Sequence, residues 1–302
     1  MNPPHRILRR LIPKSWYRAI NDSYNRRLVA THTDPQMAEQ ALGAVDAYWR
    51  GRIDLVKACG DNAAIPRHPQ AGLLQDGWIT MHNGLLVGAM GYYGGGILNM
   101  LVENKGVHEP QEERAYLEVL PHVAPGSTIL ELGAYWAFYS MWFAKEVPDA
   151  SCFLVEPDSG NIESGRKNFE RNGFNGTFEQ AYVGGKPGFH KDGVPIITVD
   201  GFCERHHIGH LAILHADIQE AERDMLDGAR HMLGGQHVDY VFISTHNNDL
   251  HYACMARLGE LGYHVMASCD HENSCEGDGV IVAKRRGIRL PESLSIENNS
   301  IR

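Results

Sequence analysis

From about residue 105 the chain alternates short apolar runs with amphipathic stretches, a strand-helix-strand rhythm best satisfied by a mostly parallel α/β sheet with helices on its faces. The apolar runs read as strands at 128–132, 152–156, 177–181, 211–216, 240–244, 263–267 and 279–283. Helices are expected at 112–120, 139–146, 162–172, 220–233 and 250–261. Between the last two strands lies only the polar loop 268–278, so these two should pair as an antiparallel hairpin at the sheet edge. The expected fold is a Rossmann-like seven-stranded α/β sheet ending in that hairpin.

The preceding 104 residues do not repeat this pattern and are read as an α+β extension, either a cover over a substrate or a contact with a second copy; residues 288–302 form a tail. Helix-like spacing covers 35–58. From Gly77 to Val102 there is no Asp, Glu, Lys or Arg. A membrane span is disfavoured there because Gly84, Gly88, Gly91 and the run Gly94, Gly95 and Gly96 would make a poor helix, so short buried strands joined by glycine turns are expected. The first 27 residues carry seven Arg or Lys against one acid, Asp22. A docking helix with a solvated basic face is favoured over a membrane-surface helix or a targeting segment, since Pro13 interrupts the segment and its apolar runs are too short for a signal-peptide core.

A chain of 302 residues, 43% hydrophobic and 22% charged, can bury one large core. Its net charge of -9 argues against a nucleic-acid partner. Six cysteines without a CxxC pair read as reduced thiols of a cytoplasmic protein, with neither a disulfide framework nor a structural zinc expected.

In open α/β sheets ligands bind beyond the carboxyl ends of the strands. After the first strand Gly133 permits a tight turn and close approach of a ligand to the backbone, and the Glu131 carboxylate can face an ammonium or a bound water. After the second come Glu156, Pro157 and Asp158, which place a carboxylate where it can accept hydrogen bonds from both hydroxyls of a ribose. An acid at the end of each of two consecutive strands, with Gly133 between, points to a nucleoside cofactor.

These segments resemble the FkbM-type S-adenosylmethionine (SAM)-dependent methyltransferases over residues 105–287. The resemblance is carried by Ile129 to Ala134 and on through Phe138, Tyr139 and Ser140; by Val155 to Asp158 followed by Asn161, Asn168 and Asn172; and by His215 to Glu222. It implies a terminal hairpin of the kind that separates methyltransferase sheets from ordinary dinucleotide-binding ones. It further implies that Glu131 and the turn Gly133, Ala134, Tyr135 and Ala137 contact the methionine part, Glu156 the ribose, and residues around Asp158, Ala181 and Tyr182 the adenine. The usual activity is O-methylation of natural products or sugars, so a hydroxylated small molecule is the expected acceptor. Ala137 stands where a glycine is common, Gln219 where an acid is usual and Glu220 where a glycine is usual.

Methyl transfer to a hydroxyl needs alignment and somewhere for the proton to go, either a general base or a divalent metal that acidifies the hydroxyl. The fourth strand is followed by Asp217 and Gln219 and the fifth by His246, with His251 soon after. Asp217 and His246 are the expected catalytic pair, with Gln219 and His251 orienting the substrate. The same Asp217 and His246 could instead hold a divalent ion, or Asp217 could cap a helix while His246 is an ordinary loop residue. Glu222 reads as a first-turn helix acid and His215 as a core histidine. Tyr92 and Tyr93 could line an acceptor pocket. The segment His108 to Glu112 either reaches the cofactor or caps its helix. Two other readings remain: a nicotinamide-dependent oxidoreductase, for which the GxGxxG turn is missing, and a SAM-binding protein without catalysis.

Overall fold

The computed structural model describes residues 31–301; the basic segment at 1–27 lies outside them. Its centre is a seven-stranded sheet built from β4 (Thr128–Leu132), β5 (Ser151–Glu156), β6 (Thr177–Gln180), β10 (Leu211–Ala216), β11 (Val238–Thr245), β12 (His264–Cys269) and β13 (Gly279–Lys284). The order is β12-β13-β11-β10-β4-β5-β6. Six strands run in one direction, and β13 inserts antiparallel between β11 and β12. An all-parallel dinucleotide-binding sheet has no such insertion. The short β7 (Tyr182–Val183), β8 (Gly188–Phe189) and β9 (Pro195–Ile197), invisible as apolar runs, make a separate small sheet beside it.

Alternation along the strands divides the core in two. Ile129, Ile213, Tyr240 and Phe242 face one side, against Tyr116 of α5 (Pro110–Val119) and Phe138, Trp142 and Phe143 of α6 (Phe138–Glu146). Leu130, Leu132, Leu214, Val241 and Ile243 face the other. There they meet Phe202 of α8 (Val199–Arg205), Met225 and Leu226 of α9 (Glu222–Asp227), Leu233 of α10 (Arg230–Gly234) and Leu258 of α11 (Asn248–Glu260). Each such side chain contributes about 1.5–3 kcal/mol by leaving water. The expected helix over 220–233 is two helices. Its break is at Gly228, where the backbone passes so close to Gly184 that a Cβ would lie 2.3 Å from the Gly184 carbonyl oxygen.

The N-terminal residues add α1 (Pro35–Ala41), α2 (Ala47–Ala58), α3 (Gly60–Ala64), an antiparallel sheet of β1 (Leu74–Gln75), β2 (Trp78–Thr80) and β3 (Leu86–Gly88), and α4 (Gly95–Glu103). The expectation of strands as far as residue 102 is thus corrected: 95–103 is a helix. Its glycines serve packing, since a Cβ on Gly96 would lie 2.1 Å from the Trp49 ring. The extension joins the sheet through α7 (Ser159–Arg171). Asn168 Oδ1 accepts from Gly88 N at 3.0 Å, while the Asn172 amide, just past the helix, pairs with both Leu86 N and Leu86 O. These side chains satisfy the open edge of β3 as another strand would. Among the described residues no helix is long and apolar enough to cross a membrane.

Candidate functional site

The turn after β4 is fixed by the strand beside it: Gly133 N and Ala134 N both donate to Val155 O, at 2.8 and 3.1 Å. Gly133 has φ 74° and a Cβ there would collide with the Asp217 carbonyl, so only glycine fits. The turn leads into α6 through Ala137, whose φ of 65° is left-handed. Glu131 is turned inward, away from solvent, where its carboxylate accepts from Ser140 N at 2.9 Å and closes the first turn of α6.

At the end of β5, Glu156 is 6% exposed. It accepts from Tyr135 N (3.2 Å), Asp158 N (2.9 Å) and Asn161 Nδ2 (3.1 Å). Burial nevertheless dominates these bonds and pushes its pKa up to about 7. Asp158 caps α7, accepting from Gly160 N at 2.7 Å and Asn161 N at 3.1 Å.

A cavity of about 360 Å³ is lined by Gly133, Tyr135, Glu156, Pro157, Asn161, Ala181 and Tyr182 together with Asp217, Gln219, Tyr92 and Tyr93. Tyr92 stacks on Trp136, 4.3 Å between ring centres, and meets Tyr135 edge-on at 4.8 Å. The uncharged stretch of the extension therefore supplies an aromatic wall. Val183, Ile218 and Ala221 complete the lining. Of the residues singled out from the sequence, Glu131, Ala134, Ala137, Phe138, Ser140, Asp158, His246 and His251 do not line it, His246 standing behind Asp217 and Gln219. Ala134, Ala137, Phe138 and Ser140 are buried beneath the turn. His251 is wholly buried, with Nδ1 2.8 Å from Thr245 Oγ1 and Nε2 2.8 Å from Ser268 Oγ. Burial lowers its pKa to about 4, so it is a neutral core residue with no reach to a substrate.

Asp217, Gln219 and His246 do meet. His246 Nε2 is 3.2 Å from Asp217 Oδ1 and 2.7 Å from the Gln219 amide, and Nδ1 is 3.0 Å from Glu222 Oε1. Glu222, the expected helix acid, is fully buried. Burial opposes a charge on His246, but hydrogen bonds to Asp217 and Glu222 outweigh it and push the pKa up to about 10. Both ring nitrogens face polar neighbours, so His246 is not a vacant base. Asp217 caps no helix; its amide donates to Leu132 O at 3.0 Å, tying the turns after β4 and β10 together.

One acid beside this group escaped the sequence reading. Asp278 Oδ1 is 3.8 Å from His246 Nε2. Burial, reinforced by Asp217 and countered by His246, pushes its pKa up to about 6. Asp278 ends the loop before β13, and the antiparallel pairing of Gly279 with Thr245 is what brings it beside His246; the hairpin was legible, its partner strand was not. Glu109 accepts from Tyr139 Oη at 2.8 Å and lies 3.2 Å from His108 Nε2. The capping in that segment falls to Glu113, whose Oε1 accepts from His108 N and Glu109 N. His215 is buried on Glu112 at 2.7 Å, which also accepts from Ser244 Oγ at 2.9 Å.

No family model and no curated protein matches the chain. Among solved structures it is similar to a precorrin-6y C5,15-methyltransferase from Geobacter metallireducens, at 12% identity over 57% of this chain and 88% of that one, TM-score 0.41. A ribosomal protein L11 methylase from Lactobacillus delbrueckii subsp. bulgaricus aligns at 11% identity over 59% of this chain and 80% of that one, TM-score 0.41. A fibrillarin from Aeropyrum pernix in complex with natively bound SAM aligns at 14% identity over 53% and 67%, TM-score 0.37. At these scores the likenesses decide nothing about the site, which is read from its own residues.

Proposed function

We propose that this chain is a SAM-dependent methyltransferase of the FkbM type that methylates a hydroxyl of a small molecule, natural product or sugar. The observation that carries the reading is that one cavity is lined by the buried Glu156, by Gly133 and by Asp217 and Gln219 together. SAM supplies an electrophilic methyl on a sulfonium. In this reading Glu156 accepts the ribose hydroxyls, Pro157, Asn161, Ala181 and Tyr182 surround the adenine, and the Cβ-free surface at Gly133 lets the chain approach the remainder. Tyr92, Tyr93 and Tyr135 keep water from the reacting centre.

Asp217 and Gln219 orient the acceptor, and His246, held against both Asp217 and Glu222, fixes the Asp217 carboxylate in place. Because His246 is engaged by two carboxylates, the hydroxyl proton passes to Asp278, the acid beside it. A second reading gives Asp217, Glu222 and His246 to a divalent ion. It is favoured by one donor atom from each lying within 4.8 Å of the others and by Glu222 Oε2, buried without a hydrogen-bond partner.

Methyl-labelled SAM, offered with a panel of hydroxylated small molecules with and without a chelator, tests both. Label transfer that survives chelation and falls about 10²-fold or more in Asp278→Asn, with SAM binding kept, supports the base reading. Transfer abolished by chelator and restored by a divalent ion supports the metal reading. Cofactor binding without transfer to any acceptor supports a non-catalytic SAM-binding role, and nicotinamide binding in place of SAM would refute the proposal.

A further inference from the structure

Three segments remote in sequence meet outside the cavity: the junction of α2 and α3, the loop between β12 and β13, and the C-terminal tail. Cys59 stands at the junction, Cys275 in the loop and Glu297 in the tail, and one donor atom from each lies within 4.8 Å of the other two. Both thiols are buried, at 4% and 5% exposure. Asp61 joins them, with Oδ2 4.0 Å from Cys59 Sγ and accepting from Glu297 N at 2.6 Å. The Glu297 carboxylate accepts from Gly60 N. Arg114, the cation acting on Asp61, is itself paired with Glu118. Two carboxylates and two thiols thus converge in a buried place with little positive charge to offset them.

We infer that Cys59, Cys275 and Glu297 bind a structural zinc ion, with Asp61 at the fourth position. Sulfur donors with carboxylate oxygen suit zinc and disfavour magnesium or calcium, whose ligands are oxygen alone. On binding, each S–H bond gives way to an S–Zn bond and the two protons leave to solvent. A Cys59–Cys275 disulfide would need a two-electron oxidant, whereas the carboxylates have no part in such a bond. The ion fastens to α2 and α3 the loop that ends in Asp278, a loop also held by Arg52 Nη2 on Glu276 O. Zinc therefore rigidifies the wall beside His246. The sequence expectation of no structural zinc fails in this account because the ligands come from three distant segments and show no motif spacing.

The test uses the full chain, kept reduced, stripped with chelator and titrated with Co(II), then Zn(II). The expected result is one Co(II) per chain with sulfur-to-cobalt charge-transfer absorption, displaced by Zn(II) and lost in Cys59→Ser and Cys275→Ser. Should either variant fail to fold, Glu297→Gln, changed at a half-buried position of the tail, should still bind about tenfold or more weakly. Asp217→Asn should retain the absorption, which separates this site from any ion at His246. A reduced wild type without the charge-transfer band, or Co(II) uptake that persists with Cys59 and Cys275 joined in a disulfide, would overturn the inference.

Discussion

A Cβ on Gly133 would stand 1.7 Å from the carbonyl oxygen of Asp217. The turn after β4 and the turn after β10 are therefore in contact through bare backbone, and the residues proposed to hold the cofactor and those proposed to handle the acceptor share one mouth. Gly133→Ala must push the two turns apart. It is expected to destabilise the protein by about 3 kcal/mol or more and to abolish SAM binding, as read by urea unfolding and calorimetry.

The left-handed residues offer the opposite change. Ala137 has φ 65° and Glu220 φ 75°, the two positions where the resembled family carries glycine. Each pays for a Cβ in a conformation that disfavours one by about 1 kcal/mol. Ala137→Gly and Glu220→Gly should each raise the urea midpoint, by up to about 1 kcal/mol in stability, since the only side-chain hydrogen bond shown for Glu220 is an exposed 3.4 Å contact from Asn247.

Glu156 makes cofactor binding depend on pH. Its folded pKa, raised by burial to about 7, exceeds the ordinary 4.5, so the folded protein holds a proton that the unfolded chain has lost between those values. Stability of the free protein should fall as pH rises from about 4.5 to 7, by up to about 3 kcal/mol from this group. Ribose hydroxyls donate to the ionised form. SAM affinity should therefore rise about tenfold per pH unit below 7 and level off above it, a slope that Glu156→Gln removes in calorimetry.

His215 and Glu112 provide a stability test away from the cavity. Burial disfavours a charge on His215, yet Glu112 overrides it and lifts the pKa to about 9, above the ordinary 6.5. The stabilisation is full below 6.5 and is lost as pH climbs through 9. Glu112→Ala strands a buried cation and should cost about 3–5 kcal/mol at pH 6 and much less at pH 10, measured by denaturant unfolding.

What the sequence revealed follows from which interactions are local. The central strands of the main sheet announced themselves because they are largely apolar on both faces, as β10 and β11 are, and the lone polar loop before β13 implied the hairpin. The helix at 95–103 was missed because Gly94, Gly95 and Gly96 look like turn residues, whereas Gly96 is there to admit the Trp49 ring from another helix. At the site, Asp217, Gln219 and His246 were legible as residues following adjacent strands. Asp278 was not, since only the register of β13 on β11 brings it in. His251 misled in the other direction: nothing local says that it faces Thr245 and Ser268 inside the core.

The most direct test of the central claim is calorimetric titration of the purified chain with SAM and S-adenosylhomocysteine, with Glu156→Ala and a nicotinamide cofactor as controls. Micromolar binding of both sulfur nucleosides, lost in Glu156→Ala and absent for the nicotinamide, is the predicted result. A folded wild-type protein that binds neither, alone or with candidate acceptors present, would contradict it.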